Sequence, residues 1–216
     1  MRKKVAFTLV EVLLVLGLIL LTASVLIPNL IEDNKKLDII SKWKNSYRNI
    51  EYIFTAIKTQ MSETDIVAFK KASSAKEKED LFIELMTPYF RLTDPVEKGS
   101  YKLTYLNGTL VKEKEDYFIS NLYNTNNGNI VGLKWLNTPE NLSDKIPIAI
   151  LLYDLNGAYA PNRWGQDVFA INIFRNRIEP LGKIEDESLL KKDCSKNGTG
   201  VTCSYYYHIY GGQQSN

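Results

Sequence analysis

Glu11 is the single charge in the apolar run from Val5 to Ile27. A carboxylate near the middle of such a run costs on the order of 3 kcal/mol to place in lipid, so it calls for a partner. Phe7 lies four residues earlier, on the same face of a helix. A cut between Ala6 and Phe7 would create an α-ammonium group at membrane depth, and Glu11 of a neighbouring copy could neutralise it. The chemistry these residues suggest is therefore ion pairing between subunits, with Glu11 as an assembly device.

Two other groups could do chemistry. Cys194 and Cys203 bracket a segment containing Asn197-Gly198, a turn former that would bring them together. Outside the cytoplasm a disulfide is their natural state. Two buried thiols, or half of a metal site, are the alternatives, and with His208 the only histidine a metal has few ligands to draw on. Asp154, Asn156 and Asp167 gather oxygen atoms around Asn156-Gly157 and Asn162, ligands of the kind calcium prefers. Their spacing does not fit a helix–loop–helix calcium loop, and Asp and Asn in turns commonly bond their own backbone. His208 has no nucleophile or acid placed around it in sequence. No phosphate-binding or dinucleotide fingerprint occurs, so we expect no catalytic residues and no cofactor, calcium being a weak candidate.

The elements that must position these residues begin with the apolar run. Phe7 to Ile27 is long enough for a helix to cross a ~30 Å hydrocarbon core. Arg2, Lys3 and Lys4 should hold the preceding end in the cytoplasm, placing the rest of the chain outside. A cleaved secretory signal is the rival, but the run is long for one and no small-x-small site closes it cleanly. Beyond Pro28, apolar residues recur at Leu37, Ile40, Trp43, Tyr47, Ile50, Phe54, Ile57 and Met61, which predicts an amphipathic helix over 33–61 with one buried stripe. Pro28 removes a helical hydrogen bond, so a kink or local melting is expected there. A second helical region is expected over 65–89.

From Tyr101 the pattern changes to strands. Tyr101 to Leu106, the Asn107-Gly108 turn and Thr109 to Lys112 read as a hairpin. Asn124 to Asn129 reads as a loop, while Ile146 to Asp154 and Val168 to Phe174 read as buried strands. The tyrosines Tyr205, Tyr206 and Tyr207 are explained by alternation along a strand or by a subunit interface. The fold expected is α+β, a long helix laid across an antiparallel sheet.

Composition sets outer limits. Lys and Arg total 27 against 25 Asp and Glu, too even a balance for nucleic acid to be the expected partner. An aromatic fraction of 11% and a hydrophobic fraction of 44% are enough to build a core, which excludes disorder. Arg2, Lys3 and Lys4 stand before the proposed cut with no acid beside them, so the remaining chain is near neutral.

The stretch Ala6-Phe7-Thr8-Leu9-Val10-Glu11, followed by an apolar helix and Pro28, resembles the class III signal of type IV pilins and type II secretion pseudopilins. The resemblance covers about the first 30 residues and implies a pilin-like fold. It implies a leader at 1–6 cut by prepilin peptidase between Ala6 and Phe7, N-methylation of Phe7, and a transmembrane and assembly helix at 7–30. It also implies that Glu11 guides assembly and that an extracytoplasmic domain follows at 31–216. Many members close a C-terminal loop with a disulfide, as Cys194 and Cys203 would. Two positions depart from the family: Ala6 stands where Gly is usual before the cut, and Leu20 where a helix glycine is often found, with Gly17 nearby. The expected role is a structural subunit of a type IV pilus or pseudopilus, not an enzyme. Its expected partners are other such subunits, the prepilin peptidase and methyltransferase, the inner-membrane assembly platform and the lipid bilayer. A protein of another class remains open: a single-span, membrane-anchored ligand-binding protein with no filament role.

Overall fold

The computed structural model describes residues 8–97, 99–112, 119, 121–136, 138–139, 143–184 and 186–211. Helix α1 runs from Leu9 to Gln60. The chain divides into two compact units, Met1–Asp38 and Ile39–Asn216, so the division falls inside α1. Within the first unit the side chains of α1 are nearly all exposed, including Leu9, Val10, Leu20, Leu21 and Val25. This stretch holds an 18-residue window of mean hydropathy 2.7, none of it buried, long and apolar enough to cross a membrane.

In the second unit α1 changes character. Ile40, Trp43, Tyr47, Ile50, Ile53 and Ile57 form its buried stripe, at steps of three and four residues. Ile53 takes a central place, whereas Phe54 and Met61 only flank the core and Leu37 is exposed. Trp43 stacks on Phe169, ring centres 4.7 Å apart, and its indole N–H donates to the Ser204 carbonyl at 2.8 Å. Buried tryptophans need such an acceptor for their one polar atom.

The second helical region is two helices, α2 (Glu63–Lys71) and α3 (Ala75–Phe90). The break comes from a capping box: the Ser74 hydroxyl accepts from the Glu77 amide, and the Glu77 carboxylate accepts from the Ser74 amide. Phe82, Ile83, Met86 and Phe90 give α3 its buried face.

The sheet has six antiparallel strands in chain order: β1 (Leu92–Pro95), β2 (Asn121–Thr125), β3 (Ile130–Trp135), β4 (Ala149–Asp154), β5 (Val168–Ile173) and β6 (Ile178–Pro180). One face, with Val131, Leu133, Leu151, Phe169 and Ile171, packs on α1 and α3. The other, with Ile130, Ile150, Leu152, Val168 and Ala170, is covered by Leu103, Val111, Trp164, Leu181 and Val201 from loops. Burial on both faces is why β4 and β5 read as continuous apolar runs instead of alternating.

Several expectations need correction. The segment Tyr101 to Lys112 turns back at Asn107-Gly108 as anticipated, but it forms only an isolated bridge, Thr104 to Leu110, and a second to Arg163. It serves as a cover over the second face rather than as a strand pair. The loop expected at Asn124 to Asn129 is the tip of the β2–β3 hairpin, whose first strand reaches Thr125. Gly128, at φ +83, supplies the left-handed residue that tip requires. Tyr205, Tyr206 and Tyr207 lie on helix α5 (Cys203–Ile209), not on a strand. A short helix α4 (Glu187–Asp193) precedes it.

Candidate functional site

At the start of α1, Thr8 stands just before the first helical residue. Its amide and hydroxyl donate to Glu11 Oε2 at 2.8 and 2.9 Å, and its hydroxyl accepts from the Glu11 amide at 3.3 Å. This is a reciprocal capping box, with the carboxylate at the helix end where amides point outward and favour negative charge. The sequence signal for it is Thr8-x-x-Glu11 before an apolar run. Glu11 therefore has a partner within its own chain. Ala6 and Phe7, the expected cut and methylation sites, lie outside the described residues. Pro28, where a kink or local melting is expected, lies inside the continuous span of α1. A single missing N–H leaves most of the hydrogen-bond ladder of so long a helix in place.

The Asp154 loop is built where β4 ends. Asp154 is fully buried, and its Oδ1 accepts from the amides of Asn156 and Gly157, both at 3.0 Å, closing a turn on itself. Its Oδ2 accepts from the Tyr101 hydroxyl at 2.6 Å. Gly157 is required here: its φ is +67, and a Cβ would stand 2.1 Å from the Gly128 carbonyl oxygen. Asp167 is also buried, and its Oδ1 accepts from the Arg163 amide at 2.5 Å. Burial pushes the Asp154 carboxyl up to about 7, with the nearby Asp167 adding to the rise. Burial likewise raises Asp167. The structure thus brings Asp154, Asn156 and Asp167 into one neighbourhood, with Tyr101 as a member the sequence did not indicate. Calcium takes six to eight oxygens. Both oxygens of Asp154 are engaged by N–H and O–H donors. Among the described residues no group of three or more His, Cys, Asp or Glu could hold a metal ion.

Cys194 and Cys203 form a disulfide, with Cα atoms 5.3 Å apart. Asp193 organises the loop that the bond closes. It accepts from the amide and hydroxyl of Thr199 at 2.7 and 2.6 Å, and from those of Thr202 at 3.0 and 2.7 Å. Burial pushes the Asp193 carboxyl up, but these four donors outweigh it and leave it below the usual range. Nothing in the local sequence marks Asp193 for this part, because its partners follow six and nine residues later. His208 packs against Tyr47, ring centres 4.3 Å apart, and burial lowers its pKa, as does Lys44. It has the surroundings of a packed histidine.

No protein-family model matches the chain, and no curated protein or solved structure is significantly similar to it.

Proposed function

We propose that the chain is a structural subunit of a type IV pilus or type II secretion pseudopilus, assembled through the N-terminal part of α1. The observation that carries this reading is the two-character helix. Its first part is apolar on all sides and has Glu11 at its head; its later part carries one buried stripe that holds an α+β domain. A helix apolar all round needs either lipid or other such helices around it. The membrane supplies the first surrounding and a filament core the second. The N-terminus faces the cytoplasm and the domain lies outside, as the basic residues before the helix favour. Prepilin peptidase cuts between Ala6 and Phe7, and the freed amine of Phe7 meets Glu11 of a neighbour.

Mass spectrometry of the mature N-terminus tests the processing step. An N-methylated Phe7 start supports it; an intact Met1, or a start near Ser24, defeats it. The assembly role needs a variant that separates charge from capping. Glu11→Gln keeps an acceptor for the Thr8 donors but removes the negative charge. We expect normal membrane insertion and loss of filament assembly, read by shearing and immunoblot. Filaments at the parental level in Glu11→Gln would leave Glu11 as a helix cap only.

A further inference from the structure

Between α1, α2, α3 and the sheet lies a cavity of about 440 Å³, within the range of small-molecule sites. It belongs wholly to the second unit, so it does not depend on how the N-terminal segment is used. Its walls are aromatic. Phe69, Phe82 and Trp135 form a ring cluster with centres 5.9 to 6.4 Å apart, and Phe54 and Phe174 add two further rings. Its charged lining is of one sign. Lys58 from α1, Lys70 from α2, Lys78 from α3 and Arg175 just after β5 all reach it, while no Asp or Glu lines it among the described residues. Lys58, Lys70 and Arg175 are exposed, so the cations stand at the rim and the rings within.

In a chain with nearly equal numbers of acids and bases, four cations from three helices and the segment after β5 converging without an acid is a specific arrangement. We propose that this cavity binds a small amphipathic carboxylate, its apolar body against the Phe69–Phe82–Trp135 rings and its anionic end held by the rim cations. Apolar walls with a few convergent polar groups are the pattern of small-ligand sites. The rings supply van der Waals area and stacking faces. The guanidinium of Arg175 can take a carboxylate through two parallel N–H bonds, which an ammonium cannot. A neutral analogue would leave the rim charges without a counter-ion, and a cationic one would be repelled.

The full chain in nanodiscs of zwitterionic lipid, titrated with 2-naphthoate by calorimetry, tests this. Saturable one-to-one binding of 2-naphthoate is expected, with 2-naphthamide and 2-naphthylmethylammonium at least about tenfold weaker. The exposed double variant Lys70→Glu/Arg175→Glu should keep its thermal transition and lose at least about tenfold in affinity. Lys191→Glu/Lys192→Glu, an equal charge change on α4, should bind as the parent does. Absence of saturable binding would overturn the proposal, as would equal affinity for acid and amide. Equal loss in both double variants would reduce the effect to overall charge and overturn it as well.

Discussion

Asp154 sits in the wrong protonation regime for an ordinary surface carboxylate, and this has a measurable consequence. Its pKa is raised by burial to about 7, so the folded state holds a proton that the unfolded chain releases near pH 4. A group raised in this way favours the fold at low pH, and the contribution declines as pH climbs from about 4 to about 7. Each unit of such a shift corresponds to about 1.4 kcal/mol, so the decline is on the order of a few kcal/mol. Asp154→Asn retains an oxygen for the Asn156 and Gly157 amides while removing the titration. Urea melts at pH 4.5, 6 and 8 should show a smaller loss of stability with rising pH in that variant than in the parent. Asp193 has the opposite sign. Its lowered pKa gives stability present above the unfolded carboxyl's value near 4 and lost below it. Asp193→Ala should cost about 1–2 kcal/mol at neutral pH, its half-exposure tempering the effect of four hydrogen bonds, and the gap to the parent should narrow toward pH 3.

At the level of elements, α1 carries the strongest prediction. Trp43→Ala removes a stacked ring and an indole donor at once and should destabilise the domain by about 3–5 kcal/mol, read from chemical denaturation. Trp43→Phe keeps the stacking and leaves the Ser204 carbonyl without its donor, for a cost of about 1–3 kcal/mol. The disulfide closes a short loop, so Cys194→Ser/Cys203→Ser should lose somewhat under ~3 kcal/mol. The stripe of α1 was legible because Ile40, Trp43, Tyr47, Ile50 and Ile57 repeat at helical spacing, and β4 and β5 because both are dense apolar runs. The pairing of β2 with β3 was not. Asn121-Leu122-Tyr123-Asn124-Thr125 is rich in turn formers, and only its pairing with β3 makes a strand of it. Helix α5 was hidden for a related reason: its tyrosines have strand propensity, but the Cys194–Cys203 bond and the packing of Tyr207 near Phe169 fix it as helix. Tyr101 beside Asp154 follows from tertiary packing across 53 residues, which no local pattern encodes.

For the whole molecule, the division at Asp38/Ile39 separates an exposed apolar helix from a unit with its own two-sided core. A chain beginning at Ile39 should therefore fold without detergent and melt within about 5 °C of the full chain in nanodiscs, measured by circular dichroism. Aggregation of that fragment in its folded form would mean that the second unit leans on the first. The same division explains why the mean composition looks ordinary: an apolar segment and a charged domain average to an unremarkable protein.

The bond from the Trp43 indole to Ser204 spans 161 residues, and Lys44 reaches the Gly211 carbonyl across 167. The first helix of the domain is thus latched by α5 and the residues just after it. During synthesis the stripe of α1 can meet α3 and the sheet first, while its Trp43–Tyr47 end waits for α5. A chain cut short before residue 203 would hold all six strands and both α2 and α3, yet leave the Trp43 indole without its Ser204 acceptor and Tyr47 without the His208 ring. The α5 segment must therefore be made before this end of the α1 stripe is sealed.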